Sequence, residues 1–176
     1  MGATGWTYTT RYQPDINKAL QELREEVFAK GEYYKPWEEL AKFRAELEAK
    51  PKDQLTDWES SWLATPPVAP PNPLPGTIEQ LFEHNGESGT HTILDIFGLA
   101  EKPEIFRAAP VPDDVLIATF GTTRPTHEQL GCLEESEANE AWQEFLAYFE
   151  RWEAFYLVVY KDGQRDEIYF CGVSGD

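Results

Sequence analysis

Apolar residues near the start of the chain alternate with polar ones and then recur at helical spacing. In residues 4–12 the aromatic side chains occupy even positions, and this two-residue period predicts a strand. Apolar residues spaced three and four apart then predict helices over 14–30, 36–50 and 54–63. The first third of the chain is therefore expected to form one strand followed by helices.

A proline-rich segment, residues 64–76, ends this helical region. Six of the ten residues from Pro66 to Pro75 are proline, which removes the backbone donors that a helix or a sheet needs. One interpretation is a strap that lies across the protein's own aromatic surface. The other is a P-x-x-P ligand, Pro67 to Pro70, for an aromatic groove on another protein. We favour the strap because the sequence on both sides has the pattern of folded elements.

After the prolines, predicted helices and strands alternate. Thr77 begins a capping-box pattern, which predicts a helix over 78–84. Residues 91–97 have the composition of a strand, and residues 100–113 are expected to form a loop. The continuous apolar run 115–120 predicts a central strand that is buried on both faces.

The last part of the chain combines a helix with a hairpin. A second capping box at Thr126 predicts a short helical turn, and an aromatic stripe predicts a long helix over 134–152. Strands are expected at 156–160 and 167–171, joined by a turn at Asp162-Gly163.

These elements predict an α+β fold. We expect a largely antiparallel sheet of about five strands, packed against the N-terminal helices and one long C-terminal helix and ending in a β-hairpin. A length of 176 residues fits a single domain, with a strand-plus-helix region (1–63), the strap (64–76) and an acidic α+β region (77–176). If the strand ending at Val173 lies at a sheet edge, it can pair with a second copy, but the sequence does not determine the oligomeric state.

Charge is distributed unevenly between these regions. The chain has 15 basic and 32 acidic residues, a net charge of −17. Residues 1–52 contain nine of each sign, so the whole excess lies in residues 53–176, with six basic and 23 acidic residues. Such a surface repels phosphate groups, and we therefore expect neither nucleic acid nor a membrane as a partner. Solubility alone explains an acidic surface, but the asymmetry also favours a basic protein partner.

The start of the chain and the cysteine count indicate a cytoplasmic protein. The first residues lack the basic region and apolar core of a secretory signal. Cys132 and Cys171 are too few for a disulfide framework, and we expect two buried free thiols. No apolar run approaches the roughly 20 residues that span a bilayer.

Acidic residues are densest on the predicted long helix. Glu137, Glu140 and Glu144 follow one another at spacings of three and four, so that they share one face. Like charges at these spacings destabilise a helix by about 0.2–0.5 kcal/mol per pair. We therefore interpret these three residues as candidates for contact with a basic partner.

An alternative site requires two loops to meet. If strands 91–97 and 115–120 are neighbours, the loops 85–92 and 121–127 form a pocket at their ends. There His91 would act as acid or base, and Arg124 would hold an anionic group. No phosphate-binding loop, dinucleotide fingerprint or zinc-protease motif is present, and we expect no cofactor and no metal site.

Two hypotheses follow. The first is a non-catalytic, acidic protein-binding module that neutralises a basic partner; in broad character it resembles bacterial immunity and antitoxin proteins. The second is a small enzyme or a binder of an anionic small ligand that uses the pocket between loops 85–92 and 121–127. The first depends on the glutamate face, and the second on His91 and Arg124.

Overall fold

The computed structural model describes residues 4–135, 140–147 and 150–175, without the side chains of 132–135 and 141. Five strands form one sheet in the order β1-β5-β4-β3-β2. The strands are β1 (Gly5–Arg11), β2 (Gly98–Leu99), β3 (Arg107–Pro110), β4 (Ala154–Lys161) and β5 (Gln164–Val173). The helices are α1 (Ile16–Lys30), α2 (Pro36–Glu48), α3 (Asp57–Leu63), α4 (Ile78–Asn85), α5 (Asp113–Phe120), α6 (His127–Glu135) and α7 (Glu140–Ala147).

The sheet mixes two kinds of pairing. The long pairs β1–β5 and β4–β5 are antiparallel, whereas the short pairs β2–β3 and β3–β4 are parallel. The prediction of a mixed helix-and-sheet fold with about five strands is confirmed. The largely antiparallel description fits only the β1–β5–β4 side, because β3 lies within the expected loop 100–113 and pairs in parallel. β5 lies inside the sheet, so an edge position for the last strand was wrong.

Helices cover both faces of the sheet because β4 and β5 are apolar on both faces. Ile168 and Phe170 lie on what we call the first face, where they pack with Leu20 and Leu23 of α1. Alternate residues of the same strands lie on the second face, where they pack with α5, α6 and α7: Phe155, Leu157, Val159, Tyr169 and Cys171. The result is a sheet between two helical layers.

The expected elements at both ends of the chain are confirmed. β1 and helices α1 to α4 lie where the sequence predicts them, and α1 begins after an Asp15 side chain that accepts from the Lys18 N–H. Thr56 and Glu59 form a capping box at the start of α3. β4 and β5 form the predicted hairpin, with positive φ angles of 51° at Asp162 and 75° at Gly163.

The strand predicted at 91–97 does not form. Residues Ile93–Asp95 make a short 3₁₀ turn, and the Thr92 side chain accepts from the Leu94 N–H at its start. Threonine and aspartate side chains here bond to nearby backbone and hydroxyl groups, which offers the chain a turn in place of a ladder. The apolar run was therefore a buried turn with the composition of a strand.

The run 115–120 is helix α5 and not a central strand. Pro112 precedes the helix, Asp113 and Asp114 occupy its first turn, and Gly121 ends it in the left-handed conformation with φ 72°. These are ordinary helix start and stop signals. Burial on both faces was also wrong, since Leu116 is buried while Ile117 is 53% exposed.

No single helix spans 134–152. α6 ends at Glu135 and α7 at Ala147, and Trp152 has a φ of 71°, which interrupts any helix before β4. Residues 136–139 and 148–149 lie outside the described part of the chain. In the described part of the chain, the aromatic stripe nevertheless faces the core, because Trp142 and Phe145 are buried.

The proline-rich segment runs beside α2 without helix or strand. The Arg44 guanidinium donates to the carbonyl oxygens of Leu63 and Thr65, at 2.8 and 3.0 Å, and so holds the start of the segment. Residues 68–75 then border a cavity of about 760 Å³ together with Tyr33 and Trp37. This path fits a strap along the protein's own aromatic surface.

Candidate partner-binding face

The helices α5, α6 and α7 form one layer on the second face of the sheet. Leu116, Leu130, Trp142 and Phe145 are the buried side chains that hold the layer to the sheet. Residues 112–150, which include all three helices, contain nine acidic residues and one basic residue, a net charge of −8. We call these helices the acidic layer.

Two of the three predicted contact residues lie on the outside of this layer. Glu140 and Glu144 are exposed on α7, and Trp142 and Phe145 on the same helix face the sheet. This division follows from the helical period, which separates the two pairs of positions onto opposite sides. Glu137 belongs to residues 136–139, outside the described part of the chain.

The layer contains further exposed acids that sequence reasoning missed. Asp113 and Asp114 are exposed in the first turn of α5, where their charge interacts favourably with the helix dipole. α5 packs against α7 through Phe120 and Trp142, whose ring centroids are 6.2 Å apart. The signal was present as Pro-Asp-Asp before an apolar run, but the interpretation of that run as a strand concealed it.

The single basic residue of this region, Arg124, lies at one end of the sheet. Its guanidinium lies over the ring of Tyr160, 5.7 Å from the centroid, and its side chain is exposed. Nearby, the His127 ring lies 2.8 Å from the Asp166 carboxylate and 3.5 Å from that of Glu167. The Arg124 guanidinium therefore lies beside an aromatic ring, and the His127 ring lies beside two carboxylates at the end of the hairpin.

The structure does not bring His91 and Arg124 together. Loop 85–92 lies where β5 ends, since Ser174 bonds to Asp95, whereas loop 121–127 meets the end of β4 through the Tyr160 N–H and the Pro125 carbonyl. The length of β4 separates these ends by roughly 20 Å. The pocket of the alternative hypothesis is thus not formed, because neither of the two strands that were expected to frame it exists.

His91 itself is part of a turn. Its φ is 57°, and its ring stacks on Tyr34 with centroids 4.1 Å apart and planes 6° apart. The Tyr34 N–H donates to the Thr90 carbonyl, and the buried Asn85 side chain donates to the carbonyls of Tyr34 and Gly89. These contacts fix the loop, so that the local role of His91 is structural packing.

A buried carboxylate, Asp95, organises the same end of the sheet. Its Oδ1 accepts from the Thr90 N–H and hydroxyl, both at 2.8 Å, and its Oδ2 accepts from the Ser174 hydroxyl at 2.6 Å. The Trp6 indole N–H donates to the same Ser174 oxygen. Burial raises the pKa of Asp95, and the hydrogen bonds from Ser174 and Thr90 oppose that rise. The network ties β1, the turn and the end of β5 together.

The described residues hold no group of three or more His, Cys, Asp and Glu side chains that suits a metal ion. Within the same residues, no helix has both the length and the apolar character needed to cross a membrane. Cys171 is buried and unpaired, and burial raises the pKa of its thiol to about 12, which makes it a poor nucleophile at neutral pH.

Comparison with protein-family models, with curated proteins and with solved structures gives no match for this chain.

Proposed function

We propose that this protein binds a basic protein partner through the outward surface of the acidic layer, with Glu140 and Glu144 at its centre. The observation that supports this proposal is the separation of charge between layers. Nine acidic residues and one basic residue lie in residues 112–150, whereas residues 1–52, which contribute β1, α1 and α2, are neutral overall.

The chemistry of such a surface favours recognition of positive charge. Carboxylates held on packed helices keep their positions, so that a partner with a complementary pattern of lysine and arginine meets a preorganised surface. Electrostatic attraction of this kind raises the association rate and weakens as salt is added. A basic enzyme that binds nucleic acid is the class of partner that fits best, because the acids would occupy its phosphate-binding surface. Neutralising such an enzyme is the immunity-like role that we propose.

Charge reversal at the centre of the layer tests this proposal. The variant Glu140→Lys/Glu144→Lys is compared with Glu25→Lys/Glu39→Lys, which makes the same change in net charge on exposed positions of α1 and α2. Tagged forms of both variants and of the wild type are used to capture proteins from the source cells, and the captured proteins are identified by mass spectrometry. The identified partner is then purified, and its dissociation constant is measured at several salt concentrations.

The wild type and the α1/α2 variant are expected to capture the same basic protein, and the α7 variant is expected to lose it while keeping its circular dichroism spectrum. Affinity should fall as salt rises. A partner that binds the α7 variant as tightly as the wild type would refute the proposal. Equal loss in both variants would show a response to net charge alone and would also refute it.

A further inference from the structure

β1 forms one edge of the sheet, and its pairing with β5 shows which backbone groups it leaves free. The Tyr12 N–H donates to Asp166 and the Ser174 N–H donates to Thr4, and both bonds continue the register Gly5↔Val173 to Arg11↔Glu167. In an antiparallel pair, residues that exchange hydrogen bonds alternate with residues that do not. Even-numbered residues of β1 therefore direct their N–H and C=O groups toward β5.

The odd-numbered residues Gly5, Thr7, Thr9 and Arg11 direct their backbone groups away from β5. Within residues 4–135, 140–147 and 150–175, β1 has no strand on this side. Their side chains are exposed as well, on the second face. Four N–H groups and four C=O groups thus form an edge that is ready to accept another strand.

Apart from the charge of Arg11 at its end, this edge lacks the features with which natural proteins prevent such pairing. From Gly5 to Arg11 it contains no proline and no lysine, and its register with β5 is unbroken by a bulge. In the described part of the chain, Gly5, Thr7, Thr9 and Arg11 are all exposed to solvent. An incoming strand therefore meets an accessible edge.

We propose that a second copy of this chain occupies the edge, with the two β1 strands paired antiparallel about a two-fold axis through Tyr8. In this register Thr7 of one copy is opposite Thr9 of the other, and Gly5 is opposite Arg11. The strands exchange about eight backbone hydrogen bonds, and the two sheets become one sheet of ten strands.

The sequence of β1 suits its own copy in two ways. Thr7 against Thr9 is a favourable cross-strand pair, and Arg11 meets a glycine, so no like charges oppose each other. Within the contact itself, Arg11 is the one charged residue from Gly5 to Arg11, so the paired strands bring few charges together. This inference does not depend on the proposed function.

Molar mass in solution is the first test. Light scattering after size exclusion should give twice the chain mass of 20.2 kDa for the wild type. Thr7→Pro/Thr9→Pro removes two outward donors from each copy and leaves the β5 ladder intact, so that the mass should fall by half with an unchanged circular dichroism spectrum. Thr122→Pro/Thr123→Pro, in the loop after α5, is the matched control and should remain a dimer. A wild type that has the mass of one chain at every concentration overturns the proposal, as does a dimer that survives the β1 prolines.

Disulfide trapping tests the register and does not depend on how proline is tolerated. Residues opposite each other in a hydrogen-bonded pair have Cα atoms about 5.5 Å apart, within disulfide range. A mixture of Thr7→Cys and Thr9→Cys chains should therefore form a cross-linked dimer under mild oxidation. Either variant alone places the new thiols roughly 8 Å apart and should form much less, as should the wild type with its own cysteines. Equal cross-linking in all samples, or none in the mixture, overturns the paired β1 strands.

Discussion

Asp95 shows how one residue can set the stability of a whole end of the fold. It is fully buried and accepts three hydrogen bonds, from a backbone N–H and two hydroxyls. Removal of the carboxylate leaves the Thr90 N–H and the Ser174 hydroxyl without their acceptor, whereas the Thr90 hydroxyl still lies 2.8 Å from the Thr92 hydroxyl. Each unsatisfied buried donor costs about 1–3 kcal/mol. The sequence could not reveal this role, because the carboxylate's partner Ser174 is 79 residues away along the chain.

Asp95→Ala should lower the free energy of unfolding by roughly 3–5 kcal/mol. Asp53→Ala, at an exposed position, is the matched control and should change it by less than about 0.5 kcal/mol. Urea denaturation followed by tryptophan fluorescence measures both values. Similar stability in the two variants would show that the buried network contributes little.

The pH dependence of stability should carry the signature of the same residue. Because burial raises the pKa of Asp95, the folded state binds its proton more tightly than the unfolded state does. The resulting stabilisation is complete below the unfolded pKa and is lost as pH rises through the raised, folded pKa. We therefore compare the denaturation midpoints of the wild type and of Asp95→Asn as a function of pH. The wild-type midpoint minus the variant midpoint should fall as pH rises from the unfolded pKa of Asp95 through its folded pKa. A difference that is flat or that rises would contradict the raised pKa.

At the scale of elements, local signals were sufficient where they agreed with one another. Helix α1 has a capping Asp15, a regular apolar stripe and a terminal Gly31, and the sequence located it almost to the residue. In α5 the apolar run favoured a strand while Pro112 and Gly121 favoured a helix, and the end signals were the correct guide. β3 has only four residues, and its pairing with β4 depends on chain that lies some 45 residues away. No local pattern predicts such a strand.

The contact between β1 and β5 gives a further prediction. The Trp6 ring lies over Gly172, its paired residue on β5, where there is no side chain. A Cβ atom on Gly172 would lie 2.3 Å from the ring. Gly172→Ala should displace Trp6 from Ser174 and destabilise the protein by about 1–3 kcal/mol. Gly131→Ala has no atom within 4 Å of its new Cβ and lies in α6, so it should stabilise by about 0.5–1 kcal/mol.

Thermal melting of both glycine variants distinguishes these effects, since the two alanines are expected to shift the midpoint in opposite directions. Near-ultraviolet circular dichroism should also change for Gly172→Ala, because the surroundings of Trp6 change. A Gly172→Ala protein with wild-type stability would mean that Trp6 can move without cost.

At the scale of the whole molecule, charge is arranged by layer. The sequence predicted that the acidic excess follows residue 52, and it placed Glu140 and Glu144 on one exposed helix face, as observed. It did not predict that Asp113 and Asp114 join them, because that depends on α5 being a helix packed on α7. His91 and Arg124 do not meet for a related reason: their pocket required two strands, and the structure has a buried turn and helix α5 in their places.

Repulsion within the acidic layer should be measurable as a salt effect. Glu144→Lys places a lysine four residues after Glu140, an orientation that stabilises a helix by about 0.2–0.5 kcal/mol. We expect a higher melting temperature than the wild type at about 0.01 M salt and no difference at about 1 M, where the Debye length is only about 3 Å. Glu39→Lys on α2, which lies four residues after Lys35 and three before Lys42, should show no such gain. A gain that persists at high salt would indicate a cause other than charge.

The pairing of β1 with β5 also has a consequence for biosynthesis. Trp6 bonds to Ser174 across 168 residues of sequence, and the ladder joins β1, the first of the five strands, to β5, the fifth. At about 5–20 residues per second, the ribosome needs roughly 10–30 s to synthesise the intervening chain. During that time β1 emerges with an aromatic, β-prone sequence and both of its edges open. Helices α1 and α2 can form early, but the ladder between β1 and β5 can close only after translation has passed β5, so that β1 stays unpaired until then.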